Sequence, residues 1–128
     1  MNKRKFTYSS AGGMLGGHED ISVYHWGKLT ILKWENQPTH NQRVRTRRYK
    51  AADDLLERIE EIYFSSDLDK VDSDSRSELI ALDAPSHYYS LQNEEGSWEF
   101  SDNNLLNDRQ SEGIRKIMKM VREVINSK

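Results

Sequence analysis

Four glycines fall within six residues, Gly12, Gly13, Gly16 and Gly17, and they bracket Met14 and Leu15. Glycine-rich loops do chemistry when their N–H groups face a phosphate at a helix N-terminus. A P-loop would continue into Gly-Lys-Ser/Thr, and a dinucleotide fingerprint would run G-x-G-x-x-G into a helix. Neither pattern is present, and the residues after Gly17 read as a strand. The glycines therefore suit a shaped connection whose backbone needs positive φ or a close neighbour. Such a loop, residues 12–17, is the candidate recognition element, with Met14 and Leu15 as the side chains it presents.

The remaining reactive residue types do not converge. His18-Glu19-Asp20 has the composition of a metal site, but on a strand Glu19 points away from the other two. His25 stands too far along for a helical H-E-x-x-H pair, and His40 and His87 are isolated in sequence. Zinc needs three or four convergent ligands. Ser9 and Ser10 precede the glycines without the G-x-S-x-G elbow of a serine hydrolase. Asp67, Asp69, Asp72 and Asp74 invite a calcium reading. Their alternation breaks after Asp69, and the central glycine of a calcium loop is missing. Residues 66–78 are accordingly expected as a flexible loop, and no catalytic residue, metal or cofactor is expected. Arg43, Arg45 and Arg47 alternate along one face of an expected strand. They suit either a contact surface for phosphate or an acidic partner, or an edge strand kept soluble by charge.

The elements that position these residues follow from periodicity. Lys5 to Ser9 reads as a first strand. Glu19–Trp26 and Lys28–Glu35 read as a hairpin, with Gly27-Lys28 suited to a two-residue type II′ turn. That turn sets Trp26 opposite Leu29 and Tyr24 opposite Ile31 on one face, and Val23 opposite Leu32 and Ile21 opposite Trp34 on the other. Both faces are apolar or aromatic, which predicts cover on both sides. Arg43–Tyr49 is a fourth strand. A helix from Ala51 to about Ser65 carries the stripe Leu55, Leu56, Ile59, Ile62 and Tyr63, with Glu57, Glu60 and Glu61 placed to screen the arginines. Leu79–Leu82 is a short apolar run and Asp83-Ala84-Pro85 a break. Ser86–Gln92 and Ser97–Ser101 form a second, aromatic hairpin around Asn93–Gly96. A final helix from about Ser111 to Ile125 carries Ile114, Ile117, Met118, Val121, Val124 and Ile125, with Lys116, Lys119 and Arg122 mostly off that stripe. The fold expected is α+β: an antiparallel sheet of five to six strands with two amphipathic helices, in a single domain over 1–128.

Composition narrows the function classes. The 128 residues suffice for one ordinary core. Charged residues make up 31% while the formal net charge is only −2. No global field then favours nucleic acid or a membrane surface. There is no cysteine, so disulfides and thiolate chemistry are absent. The basic residues 1–5 precede no apolar signal-peptide core, and no apolar run approaches the roughly 20 residues of a membrane span. The expected location is cytoplasmic.

Two resemblances enter here. Tyr8-Ser9-x-x-Gly12-Gly13-Met14-x-Gly16-Gly17, together with Leu82-Asp83-Ala84-Pro85-Ser86 before a Tyr-rich strand, resembles a group of small bacterial proteins of unknown function. It spans most of the chain and implies an intact single domain. Gly12-Gly13-Met14-Leu15-Gly16 is more weakly similar to the emfourin-like inhibitors of thermolysin-type metallopeptidases, which share an early strand ending in Gly-Gly-aromatic-Ala-Gly. Met14 stands where that family has the aromatic and Leu15 where it has alanine. The first resemblance carries no activity, and the second implies peptidase inhibition. The functional expectation is a non-catalytic binding or protein-interaction domain, with self-association through the hairpin Ile21–Trp34. The alternatives are an inhibitor of emfourin type and a small-molecule or anion-binding module built on Arg43, Arg45 and Arg47.

Overall fold

The computed structural model describes residues 4–11, 17–39, 41–72, 86–102 and 104–127. Six strands form one antiparallel sheet: β1 (Lys5–Ala11), β2 (His18–Trp26), β3 (Leu29–Gln37), β4 (Arg45–Ala51), β5 (Ser86–Asn93) and β6 (Gly96–Ser101). Their order across the sheet is β4-β3-β2-β1-β5-β6. Helix α1 (Leu55–Ser65) follows β4, and α2 (Asp108–Asn126) ends the fold. This is the α+β arrangement that the periodicity predicts.

The first hairpin has the expected register, with Trp26 opposite Leu29, Tyr24 opposite Ile31, Val23 opposite Leu32 and Ile21 opposite Trp34. Gly27 lies at φ +64° and Lys28 has no positive φ. That combination is what a type II′ turn requires of its two central residues. Gly17 opens β2 at φ +89°, and a Cβ there would sit 2.4 Å from the carbonyl oxygen of Pro38. Only glycine lets the start of β2 run this close to the segment leaving β3.

Alternation along the strands sends Phe6, Tyr8, Ile21, Val23, Leu32, Tyr49, Leu91 and Phe100 to one face, where all are buried. Leu55, Leu56, Ile59 and Tyr63 of α1 and Ile117 and Val121 of α2 close over them. Each such aliphatic side chain contributes roughly 1.5–3 kcal/mol through burial. The two helices meet at Gly113, where a Cβ would lie 2.3 Å from Ser66 Oγ and 2.4 Å from Ser66 Cβ. Arg109 donates to the Ser65 carbonyl at 2.6 Å, and Gln110 donates to that of Asp67 at 2.8 Å. The start of α2 thereby satisfies carbonyls at the end of α1.

Several boundaries differ from the sequence reading, each for a local reason. Ala51 ends β4 opposite Thr30 and does not begin the helix, which starts at Leu55. Alanine's helix propensity yields here to ladder pairing and burial. Helix α2 starts three residues before Ser111. Asn107 caps it with a capping box, its side chain accepting from the Gln110 N–H at 2.8 Å while Gln110 Oε1 accepts from the Asn107 N–H at 3.0 Å. The stretch expected as a flexible loop opens with a 3-10 turn at Leu68–Lys70, and Leu68 is fully buried. One apolar residue among aspartates is enough to anchor that turn. The expectations for Leu79–Leu82 and Asp83–Pro85 lie outside the described residues.

Candidate binding surface

Both helices cover the same face of the sheet. The hairpin expected to be covered on both sides is covered by helices on one. The opposite face carries Thr7, Ser9, Asp20, Ser22, Tyr24, Trp26, Leu29, Ile31, Lys33, Glu35 and Arg48, as register and alternation place them. Its centre is built of short hydroxyls. In one transverse row Arg48 neighbours Lys33, then Ser22, Thr7, Ser90 and Glu99. Short side chains between longer ones make a depression. A cleft of about 690 Å³ runs over β1, β2 and β3 between Lys5, Tyr24, Lys33 and Glu35. A second, of about 430 Å³, continues over β5 and β6 beside Tyr88 and Glu99. Thr7 and Ser9 belong to both.

Exposed aromatic side chains stand on this face at two places. Trp26 is 69% exposed and its cross-strand partner Leu29 is 42% exposed. Tyr88, on β5, is 50% exposed. Polar groups inside are already oriented. Ser9 Oγ donates to Asp20 Oδ1 at 2.6 Å, and Lys33 Nζ lies 2.8 Å from Glu35 Oε1. The hydrogen bond from Lys33 holds the Glu35 carboxyl below its ordinary range against a small desolvation effect.

The candidate loop is only partly described. Residues 12–16 (Gly12, Gly13, Met14, Leu15 and Gly16) lie outside the described residues. Ala11 pairs with His18, so residues 12–17 join two adjacent antiparallel strands in sequence. The basic stripe is rearranged: Arg45 and Arg47 share the helix-side face of β4, whereas Arg43 precedes the strand. The strand begins later because its pairing with β3 starts at Asn36 opposite Arg45. Arg48, which is not part of the expected stripe, projects onto the helix-free face. Glu60 pairs with Arg4 at 2.7 Å and not with the arginines of β4.

A polar cluster beneath the sheet was not anticipated. Glu19 accepts from both terminal nitrogens of Arg122, at 2.6 Å and 2.5 Å, and from Trp34 Nε1 at 2.7 Å. Burial raises the Glu19 carboxyl, and the Arg122 and Trp34 hydrogen bonds outweigh it, so its pKa is lowered. The Arg122 guanidinium lies 5.8 Å from the Tyr8 ring centroid, and Tyr8 Oη is 2.9 Å from His87 Nδ1. Tyr89 stacks on Phe100, and burial pushes its hydroxyl up to about 12. Both Glu19 oxygens are engaged, so the cluster ties α2 to β1, β2 and β3. Glu19 and Arg122 are 103 positions apart, and only their exclusion from the apolar pattern hinted at a partner.

His18 Nε2 lies 3.8 Å from Asp20 Oδ2 on the helix-free face, while Glu19 points to the other. Among the described residues no group of three His, Asp or Glu side chains converges in a metal-binding arrangement. No described helix is long and apolar enough to cross a membrane. No protein-family model matches the chain, and no curated protein matches it.

Proposed function

We propose that this chain is a non-catalytic protein-interaction domain that docks through the helix-free face of its sheet. The observation that carries the reading is Trp26, 69% exposed on the same sheet face as the hydroxyl-floored cleft and two residues beyond Tyr24, which lines it. Large aromatic side chains on rigid supports supply most of the energy of protein interfaces. Trp26 is held on such a support, next to a two-residue turn and opposite Leu29. The partner is a protein, and a second copy docking through the hairpin Ile21–Trp34 is one form of it. Residues 12–17, which join β1 to β2 in sequence, are the second candidate recognition element, with Met14 and Leu15 as its apolar side chains.

Size exclusion with light scattering, followed by affinity capture and mass spectrometry, tests the reading on wild type, Trp26→Ser and Gly16→Asp. Loss of self-association or of a specific captured protein in Trp26→Ser, with its melting temperature unchanged, is the expected result. Identical behaviour of wild type and Trp26→Ser sinks the proposal. Retention of every partner by folded Gly16→Asp removes residues 12–17 from the surface. A second reading, inhibition of a thermolysin-type peptidase, rests on the Gly12–Gly16 sequence pattern between β1 and β2. Unchanged turnover of such a peptidase at high molar excess of this protein rejects it.

A further inference from the structure

The edge strand β4 carries an independent feature. It pairs with β3 on one side, and among the described residues no strand lies on its other side. A strand edge offers its outward N–H and C=O groups to an extended chain. Over residues 43–50, RVRTRRYK, there are five cations and no acid, in a chain whose net charge is −2. Arg43, Arg45, Arg47, Arg48 and Lys50 are all exposed. None of them lies within ion-pair distance of a carboxylate among the described residues. Arg48 exerts a longer-range field on Glu35.

Cations flank the edge on both faces. Arg45 and Arg47 stand on the helix side, aligned with Asn36 and Trp34, while Arg48 and Lys50 stand on the helix-free side, aligned with Lys33 and Ile31. Side chains of an added strand also alternate between faces, so acidic residues on either face of it would meet positive charge. Lysine is the common guard of solvent-facing edges. Here four of the five cations are arginine, whose planar fork matches a carboxylate bidentately. Single-stranded nucleic acid is the less suited polyanion, because such sites add aromatic stacking platforms and the aromatic of β4, Tyr49, is buried.

We infer that β4 is a docking edge for an acidic, extended peptide segment, which adds to the sheet as a further strand by main-chain pairing while carboxylates on its two faces meet Arg45 and Arg47 on one side and Arg48 and Lys50 on the other. Anisotropy of a labelled peptide rich in Glu and Asp, with Val and Thr for strand propensity, tests this on the full chain. Its lysine counterpart, a version N-methylated at alternate residues and a single-stranded oligonucleotide serve as comparisons. The acidic peptide binds and weakens with added salt, and the lysine peptide does not bind. N-methylation, and separately Arg45→Glu/Arg48→Glu, each weaken binding about tenfold or more. Amide chemical-shift changes on wild type map to β4 and its neighbours, a readout that does not depend on the charge variant folding. Trp26→Ser binds the peptide as wild type does, which separates this edge from the face proposed above. No binding of the acidic peptide, equal binding of the N-methylated version, or tighter binding of the oligonucleotide overturns the inference.

Discussion

At the scale of single residues, two glycines and one ion pair carry specific costs. Gly17→Ala places a Cβ against the Pro38 carbonyl from a positive φ. Backbone strain of that type costs on the order of 1–3 kcal/mol, and the clash adds to it, so the urea midpoint falls. Gly113→Ala gains about 1 kcal/mol of helix propensity. It also overpacks the Ser66 Cβ, 2.4 Å from the new atom, a contact that cannot rotate away. Overpacking costs roughly 1–3 kcal/mol, so the net sign is destabilising, and Ser66→Gly in the same chain recovers part of the loss. Arg122→Met leaves Glu19 partly buried with Trp34 as its remaining side-chain partner. The cost is about 1–2 kcal/mol near neutral pH, discounted because Arg122 is itself partly exposed. Glu19's folded pKa is depressed, so its contribution is present above its unfolded value and is lost as pH falls through the folded one. Wild type and Arg122→Met therefore converge in stability toward acid, and urea titrations at neutral and acid pH check this.

Among the elements, α2 depends on how it starts. Its Asn107–Gln110 capping box satisfies N–H groups that the first turn otherwise leaves open. Asn107→Ala is expected to cost about 1 kcal/mol, read as a lower midpoint in denaturant. The sequence reading begins this helix at about Ser111 and misses the box, because the asparagine-rich stretch around Asn107 reads as a turn. The II′ hairpin shows the opposite case. Its turn chemistry, length and alternation agree, so register followed from local residues alone. The end of β4 at Ala51 was not legible, since alanine suits helix and strand ends alike, and pairing with Thr30 decided it.

At the scale of the whole molecule, both helices lie on one side of the six-stranded sheet, and among the described residues no helix covers the other side. Antiparallel sheets tolerate this when the open face is polar, and Thr7, Ser9, Ser22 and Ser90 supply that polarity. Trp26 and Leu29 depart from it, which is why the docking reading rests on them. Trp26→Ser is expected to keep the melting temperature within the small range typical of surface changes while association is lost. A melting temperature lowered by several degrees would mean that Trp26 packs within its own chain instead.

The sequence by itself determined the element types, the first hairpin's register, the apolar stripes of both helices and the glycine position at the turn. These depend on neighbours within a few residues, where periodicity and turn chemistry act directly. Tertiary structure decided the rest. That both helices settle on one face, that β4 becomes the edge, and that Arg122 meets Glu19 across 103 positions are outcomes of packing between distant segments. No local propensity encodes them, because each follows from which apolar faces must be buried together and which charges remain to be paired afterwards.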